Sequence, residues 1–228
     1  MPSELQTSLR AILENTFNHK RLDYQPWNYF LRPGQVDPDM EMEQRVVQEM
    51  LSDLCGATFS GRCFVSAHAN VFTERLHMDE NAWIAAGAIV RGDVQLGYGT
   101  SINPYAHVAG MVRMGSHVMV AGGAAIYGFD HGHTQLDTPI YFQPLTVSGI
   151  EIEDDCWIGA NAVVVDGVRL GAHSIVAAGA VVKDSFAPHS IVDGVPARLI
   201  RLRGKTNDRR QHDRRAVDKL SRDDGAAG

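Results

Sequence analysis

The chain has 228 residues, of which 44% are hydrophobic and 21% charged, with a net charge of −6 and a pI near 5.9. This length fits one domain with appendages, and the apolar share is enough for a full core. The acidic balance argues against nucleic acid as a partner, and no apolar run reaches the roughly 18 residues of a spanning helix. The N-terminus, MPSELQTSLRAILENTF, lacks the basic-then-apolar order of a secretory leader. Three scattered cysteines, Cys55, Cys63 and Cys156, offer neither a disulfide framework nor a metal-binding pair, so a reducing, cytoplasmic setting is expected.

In chain order, residues 3–17 predict a helix with Leu5, Leu9 and Ile12 on one stripe. Pro26 and Pro33 then interrupt regular structure. A second amphipathic helix is predicted over 38–54, with Val46, Val47, Met50, Leu51 and Leu54 as its apolar stripe and a stop near Cys55-Gly56. Residues 1–60 therefore form a helical N-terminal segment, and the 38–54 helix is placed to cap the main domain. That domain spans residues 61–202, and 203–228 form a charged, apolar-poor tail.

The main domain carries an aliphatic residue at every sixth position: Met78, Ile84, Val90, Leu96, Ile102, Val108, Met114, Val120 and Ile126. The fourth residue after each is small or slender, as at Ala82, Ala88, Thr100, Ala106 and Ala124. Neither a helix nor a plain strand has this period, whereas a solenoid of short strands does. Each aliphatic residue should point inward, and each small residue should sit inward at a corner. Three hexads then make one triangular coil, hydrogen-bonded to the next as parallel strands. The predicted fold is all-β, a parallel β-helix with a helical cap and a short C-terminal tail. Phe186 in a small slot marks where the last coil opens.

The series breaks after Ile126 and resumes in a new phase at Ile152, Ile158, Val164, Leu170, Val176 and Val182. An excursion over 130–149 accounts for the slip. It holds Asp130, His131, His133, Asp137, Tyr141 and Phe142, which suits a functional loop better than a spacer.

The hexads, the DHGH of the excursion, DDCWIGANAVVVDGVRLGAHSIVAAGAVVKD and the closing VDGVPARLIR resemble the hexapeptide-repeat acyltransferases. Within that family the chain most resembles the sugar O-acetyltransferases of the maltose, galactoside, nodulation-factor and exopolysaccharide type. The resemblance spans about 40–202 and implies a left-handed β-helix in a homotrimer with active sites between subunits. It implies transfer of acetyl from acetyl-CoA to a carbohydrate or glycan hydroxyl, with no metal required. Residues 1–37 do not resemble the short acceptor-site segment of maltose and galactoside acetyltransferases.

By the same resemblance His131 is the catalytic base, a role imidazole suits because it titrates near neutrality. Asp130 and His133 flank it, and with Trp157 and Asn103 they form the candidate acceptor side. Ala160, after the WIG motif, supplies a backbone N–H for the oxyanion. Ala178, in a smooth Ala-Ala-Gly-Ala corner, meets the pantetheine arm. Lys183, Arg198 and Arg201 face the coenzyme phosphates. His107, His117 and His173 take outward hexad positions and read as exposed surface.

Three other readings compete. An amine, an amino acid or an antibiotic hydroxyl could replace the carbohydrate hydroxyl as acceptor. A non-catalytic β-helix is compatible with the fold. Arg91-Gly92-Asp93 resembles the γ-class carbonic anhydrases, but Ala109, Gly122 and Tyr127 stand where that class has its zinc histidines.

Overall fold

A computed structural model of the chain describes residues 29, 30 and 38–204. The expected helix at 3–17 and most of the tail lie outside the described residues. Within them the hexad rule is obeyed throughout. Every aliphatic position of the two series, from Met78 to Val182, is buried, and so is every small-slot residue from Ala82 to Ala180. Together they form one continuous core running the length of the solenoid.

Three parallel faces build the prism. The first stacks Phe64–Val65, Trp83–Ile84, Ser101–Ile102, Met119–Val120, Trp157–Ile158 and Ile175–Val176. The second runs through Val71, Val90, Val108, Ile126, Val164 and Val182, and the third through Met78, Leu96, Met114, Ile152 and Leu170. In the middle coils, Ile89–Leu96 and His107–Met114 each cross the corner from the second face to the third as one unbroken strand.

Register gives the coil length. Ile84 pairs with Ile102 and Ile102 with Val120, each 18 positions apart. The hexapeptide spacing fits a left-handed β-helix. Polar residues in the small slots spend their hydrogen bonds on the backbone. Thr100 Oγ1 donates to the Gly115 carbonyl at 2.6 Å and accepts from the Val118 N–H at 3.0 Å. The Cys156 thiol donates to the Gly171 carbonyl at 3.3 Å, and burial raises its pKa to about 11.

The tight turns put non-glycine residues in the left-handed region: Asn81, Tyr105, His117, Asp155, Asn161 and His173. Asn, Asp and His are the residue types most often tolerated there. His117 and His173 are thus corner residues, placed by backbone geometry. His117 is exposed, whereas His173 is half-buried, bonded to Asp155 at 2.9 Å and stacked on His189.

The helix Pro38–Cys55 caps the first coil, but through only part of the predicted stripe. Val46, Met50 and Leu54 are 45%, 55% and 76% exposed, and only Val47 and Leu51 touch the core. The face turned to the solenoid is instead led by amides. The Gln44 side chain donates to the Val65 carbonyl at 2.9 Å and accepts from the Val65 N–H at 2.8 Å. Gln48 donates to the Cys63 carbonyl at 2.8 Å. An open solenoid end offers unpaired backbone groups, and aliphatic side chains cannot satisfy them. At the other end, Phe186 packs against the core as the last coil shortens. Val176 pairs with Val192 at 16 positions, and Ala197–Leu202 folds back antiparallel.

Replacing Ile102 with Ala in the central coil should cost about 2–5 kcal/mol in urea unfolding. The same change at Leu136, which is 99% exposed on the excursion, should stay within about 0.5 kcal/mol.

Candidate functional site

The excursion starts where the second face turns into the third. Across it, Val120 pairs with Ile158 and Ile126 with Val164, 38 positions apart instead of 18, and the surplus chain leaves the solenoid. Asp130–His131 pairs antiparallel with Leu145–Thr146, which clips the root of the excursion shut. Inside, the buried Gln143 amide accepts from the Gln135 N–H at 3.1 Å. It donates to the Gln135 and Thr138 carbonyls at 2.9 and 2.8 Å.

His131 is held by its backbone. Its N–H donates to Asp130 Oδ1 at 2.7 Å, and its carbonyl lies 2.9 Å from His133 Nδ1. A carbonyl only accepts, so that contact fixes the Nδ1–H tautomer of His133. Asp130 and His133 therefore set the main chain on either side of His131 and leave its imidazole exposed. The ring lies 6.1 Å from Phe129 in an edge contact. The aromatic run continues through Tyr127 to His107, at 6.1 and 5.0 Å.

Beside His131 lies a groove of about 580 Å³, lined by Phe72, Glu74, Arg91, Gly92, Asp93, Gly110, Met111, Phe129, His131, Leu145 and Val147. Gly92 and Gly110 stand where neighbouring coils meet closely. A β-carbon at Gly92 would lie 2.7 Å from the Gly110 carbonyl, and both glycines have positive φ. The register of the first coil slips between Thr73 and Arg75, leaving Glu74 as a bulge on the groove rim. Asp93 forms ion pairs with Arg75 and, at 2.9 Å, with Arg113. Burial acts to raise the Asp93 pKa, but the hydrogen bonds and charges of Arg113 and Arg75 outweigh it and hold the carboxyl below its usual range.

The other candidates lie elsewhere. Trp157, 47% exposed, stands on the first face between Met119 and Ile175, opposite the corner that bears His131. Asn103 sits at the corner between the first and second faces, and its amide donates to the Val120 carbonyl at 2.9 Å. Ala160 and Ala178 occupy that same corner in the later coils. The Ala160 carbonyl accepts from the Gly179 N–H at 2.9 Å, and Ala178 is exposed. Lys183 is exposed just after the last strand of the second face. Arg198 pairs with Asp184 at 3.1 Å, and Arg201 lies on the same closing strand. One chain thus gathers the donor-side candidates around its C-terminal coils. It groups Asp130, His131 and His133 at the excursion, and it does not bring Trp157 or Asn103 to them.

His107 is not the exposed surface residue the hexad position suggests. It bonds to the Tyr127 hydroxyl at 3.0 Å, and its Nε2 is sealed from solvent without a partner. Tyr127 lies across the small Ala109 to reach it, which alternation along a single strand does not reveal. Burial lowers the pKa of His107, and the charge of Arg91 adds to the effect. Sequence reasoning also missed Phe72, Glu74 and Phe129. Only the aromatic residue next to the DHGH run was a visible signal. Among the described residues no group of three His, Cys, Asp or Glu side chains could hold a metal ion. No described helix is long and apolar enough to cross a membrane.

Residues 149–184 match the family described as bacterial transferase hexapeptide (six repeats). A 2,3,4,5-tetrahydropyridine-2,6-dicarboxylate N-acetyltransferase of Staphylococcus aureus is 36% identical over 107 residues, 47% of this chain and 40% of that protein. The chain therefore matches less than half the length of this relative. AntD, an N-acyltransferase from Bacillus cereus solved with dTDP and 3-hydroxybutyryl-CoA, superposes with a TM-score of 0.61. That match has 17% identity and covers 77% of this chain and 96% of that one. A hexapeptide-repeat acetyltransferase of Vibrio cholerae gives 0.50 at 24% identity, covering 74% and 82%. These two structures establish the likeness of fold.

A carboxylate whose folded pKa is lowered stabilises above its unfolded pKa, near 3.9, and loses that contribution as pH falls through the folded value. Asp93→Asn should therefore lower stability at pH 7 and flatten its decline between about pH 5 and 2. Equal slopes for wild type and variant in urea titrations across that window would show that Asp93 gains nothing from Arg75 and Arg113.

Proposed function

We propose that the chain is an acyltransferase that carries acetyl from acetyl-CoA to a carbohydrate hydroxyl, with His131 as general base. The observation that carries this reading is His131 itself, exposed at the root of the excursion and on the rim of a groove. The transferase repeat, and relatives named as acetyl- or acyltransferases, support the reaction class.

A hydroxyl is a weak nucleophile until its proton is removed, and an imidazole can take that proton as the new C–O bond forms. Coenzyme A supplies the thioester and leaves as a thiolate, to which the His131 imidazolium returns the proton. The chain has a surface that suits this donor. At Gly179, beside Ala178, an added β-carbon would meet nothing within 4 Å, so a pantetheine arm can lie against open backbone. Lys183, Arg198 and Arg201 supply positive charge for the phosphates. The Arg198–Asp184 pair is exposed on both sides, so it costs little to exchange for a phosphate contact. The Ala160 N–H is the oxyanion donor in this scheme, and Asp130 and His133 hold His131 in place.

His131 and Trp157 lie on opposite sides of one prism. The reading therefore includes a ring of copies, a trimer, in which the excursion of one copy reaches the first face of the next. Exposed apolar side chains occur at both places, Met119 and Trp157 on the face and Tyr141 and Phe142 on the excursion. A head-to-tail contact of this kind closes into a ring when its rotation returns to the first copy.

A second reading keeps the donor and makes the acceptor an amine. It is favoured by the names of the relatives, since the Staphylococcus aureus protein is an N-acetyltransferase and AntD an N-acyltransferase. Alkaline hydroxylamine, applied to product freed of acetyl-CoA, separates the two, because it cleaves an O-acetyl ester and leaves an amide intact.

Millimolar acetyl-CoA should raise the thermal midpoint, as any ligand of the folded state must. His131→Asn should keep that shift and lower kcat by about 100-fold or more. Near-normal turnover in this variant, followed by thiol release, would remove His131 from the reaction.

A further inference from the structure

Arg91 lines the groove beside His131 and makes no ion pair among the described residues. The neighbouring carboxylate cannot neutralise it, because Asp93 is already held by both Arg75 and Arg113. What Arg91 touches is an aromatic face, with its guanidinium carbon 5.4 Å from the centre of the Phe129 ring. A cation–π contact at this distance uses none of the N–H donors of Arg91. Phe129 is also the ring against His131, so the free fork and the imidazole share one platform.

The rest of the groove complements that charge with groups suited to a sugar. Glu74, raised onto the rim by the bulge, can accept hydroxyl protons. Phe72 and Phe129 offer apolar faces for the C–H side of a ring.

We propose that Arg91 is an anion-binding subsite of this groove, so that the acceptor is a sugar bearing a carboxylate or phosphate group. This rests on the acyltransferase reading for the word acceptor, but the subsite itself rests on the geometry alone. A planar guanidinium binds either anion through two parallel hydrogen bonds, which an ammonium cannot reproduce. Arg91 is then a specificity-determining residue. It fixes one end of the acceptor while Glu74 and the aromatic faces orient the hydroxyl-bearing ring towards His131.

The test is titration calorimetry of the full chain with glucose, glucuronate and glucose 1-phosphate, repeated on Arg91→Gln, Arg91→Lys and, as a remote control on the cap helix, Arg45→Gln. At least one anionic sugar should bind wild type about tenfold or more tighter than glucose, with affinity falling as salt rises. Arg91→Gln should abolish that preference, Arg91→Lys should restore it only in part, and Arg45→Gln should keep it. Preference for glucuronate assigns a sugar carboxylate, and preference for glucose 1-phosphate a phosphate. Equal affinity for all three sugars, or an anion preference that survives Arg91→Gln in a variant with a wild-type unfolding midpoint, would overturn the proposal. Acetyl transfer from acetyl-CoA to the same sugars is measured in parallel by thiol release. Arg91-dependent binding without any transfer would leave the subsite standing and count instead against a hydroxyl of these sugars as the acceptor.

Discussion

Each strand in this solenoid must land beside its equivalent one coil earlier, with its aliphatic residue directly over the last. That register is held jointly by the parallel backbone ladder and by the inward stack of side chains. Neither works alone. A slip of one residue would turn Ile102 or Val120 outward and push a polar neighbour into a core with no water. The interior has no spare width, which is why every corner residue facing inward is small. Additional residues have only one way to go. The surplus chain after Gly128 leaves at a corner, and the ladder resumes beyond it in register, Met114 beside Ile152 and Val120 beside Ile158. A rigid frame with one tolerated exit is what places His131.

The same ladder creates the problem of its ends. A coil with no neighbour presents a row of unpaired N–H and C=O groups. At the N-terminal end the chain answers with two glutamine amides, Gln44 and Gln48, which hydrogen-bond as an added strand would. At the C-terminal end it answers with an antiparallel strand, Ala197–Leu202, and with Phe186 over the last open core. The cap helix is therefore amphipathic in an unusual sense. Its functional face is partly polar, and much of its apolar stripe faces away.

The groove beside His131 is a by-product of the frame. Two unbroken strands cross the corner side by side, and their glycines let neighbouring backbones meet closely. The bulge at Glu74 widens one rim, and the clipped root of the excursion forms the other. Charge is then distributed unequally: Asp93 takes two arginines, and Arg91 is left to an aromatic ring.

The hexads, the coil of three hexads, the broken phase and the excursion with its DHGH run were all legible in the sequence alone. They depend on periodicity, and the period of a solenoid is written directly in the order of its residues. The position of His131 at the root of the excursion follows from the same pattern. The glutamine caps, the sealed His107 ring, the bulge at Glu74 and the pairing of Asp93 away from Arg91 were decided only by the tertiary structure. Each depends on which side chains meet across coils 18 or 19 positions apart, or on what an unpaired edge demands. Those contacts leave no period. The separation of His131 from Trp157 belongs with them, because adjacency in a motif says nothing of which side of the prism a residue faces.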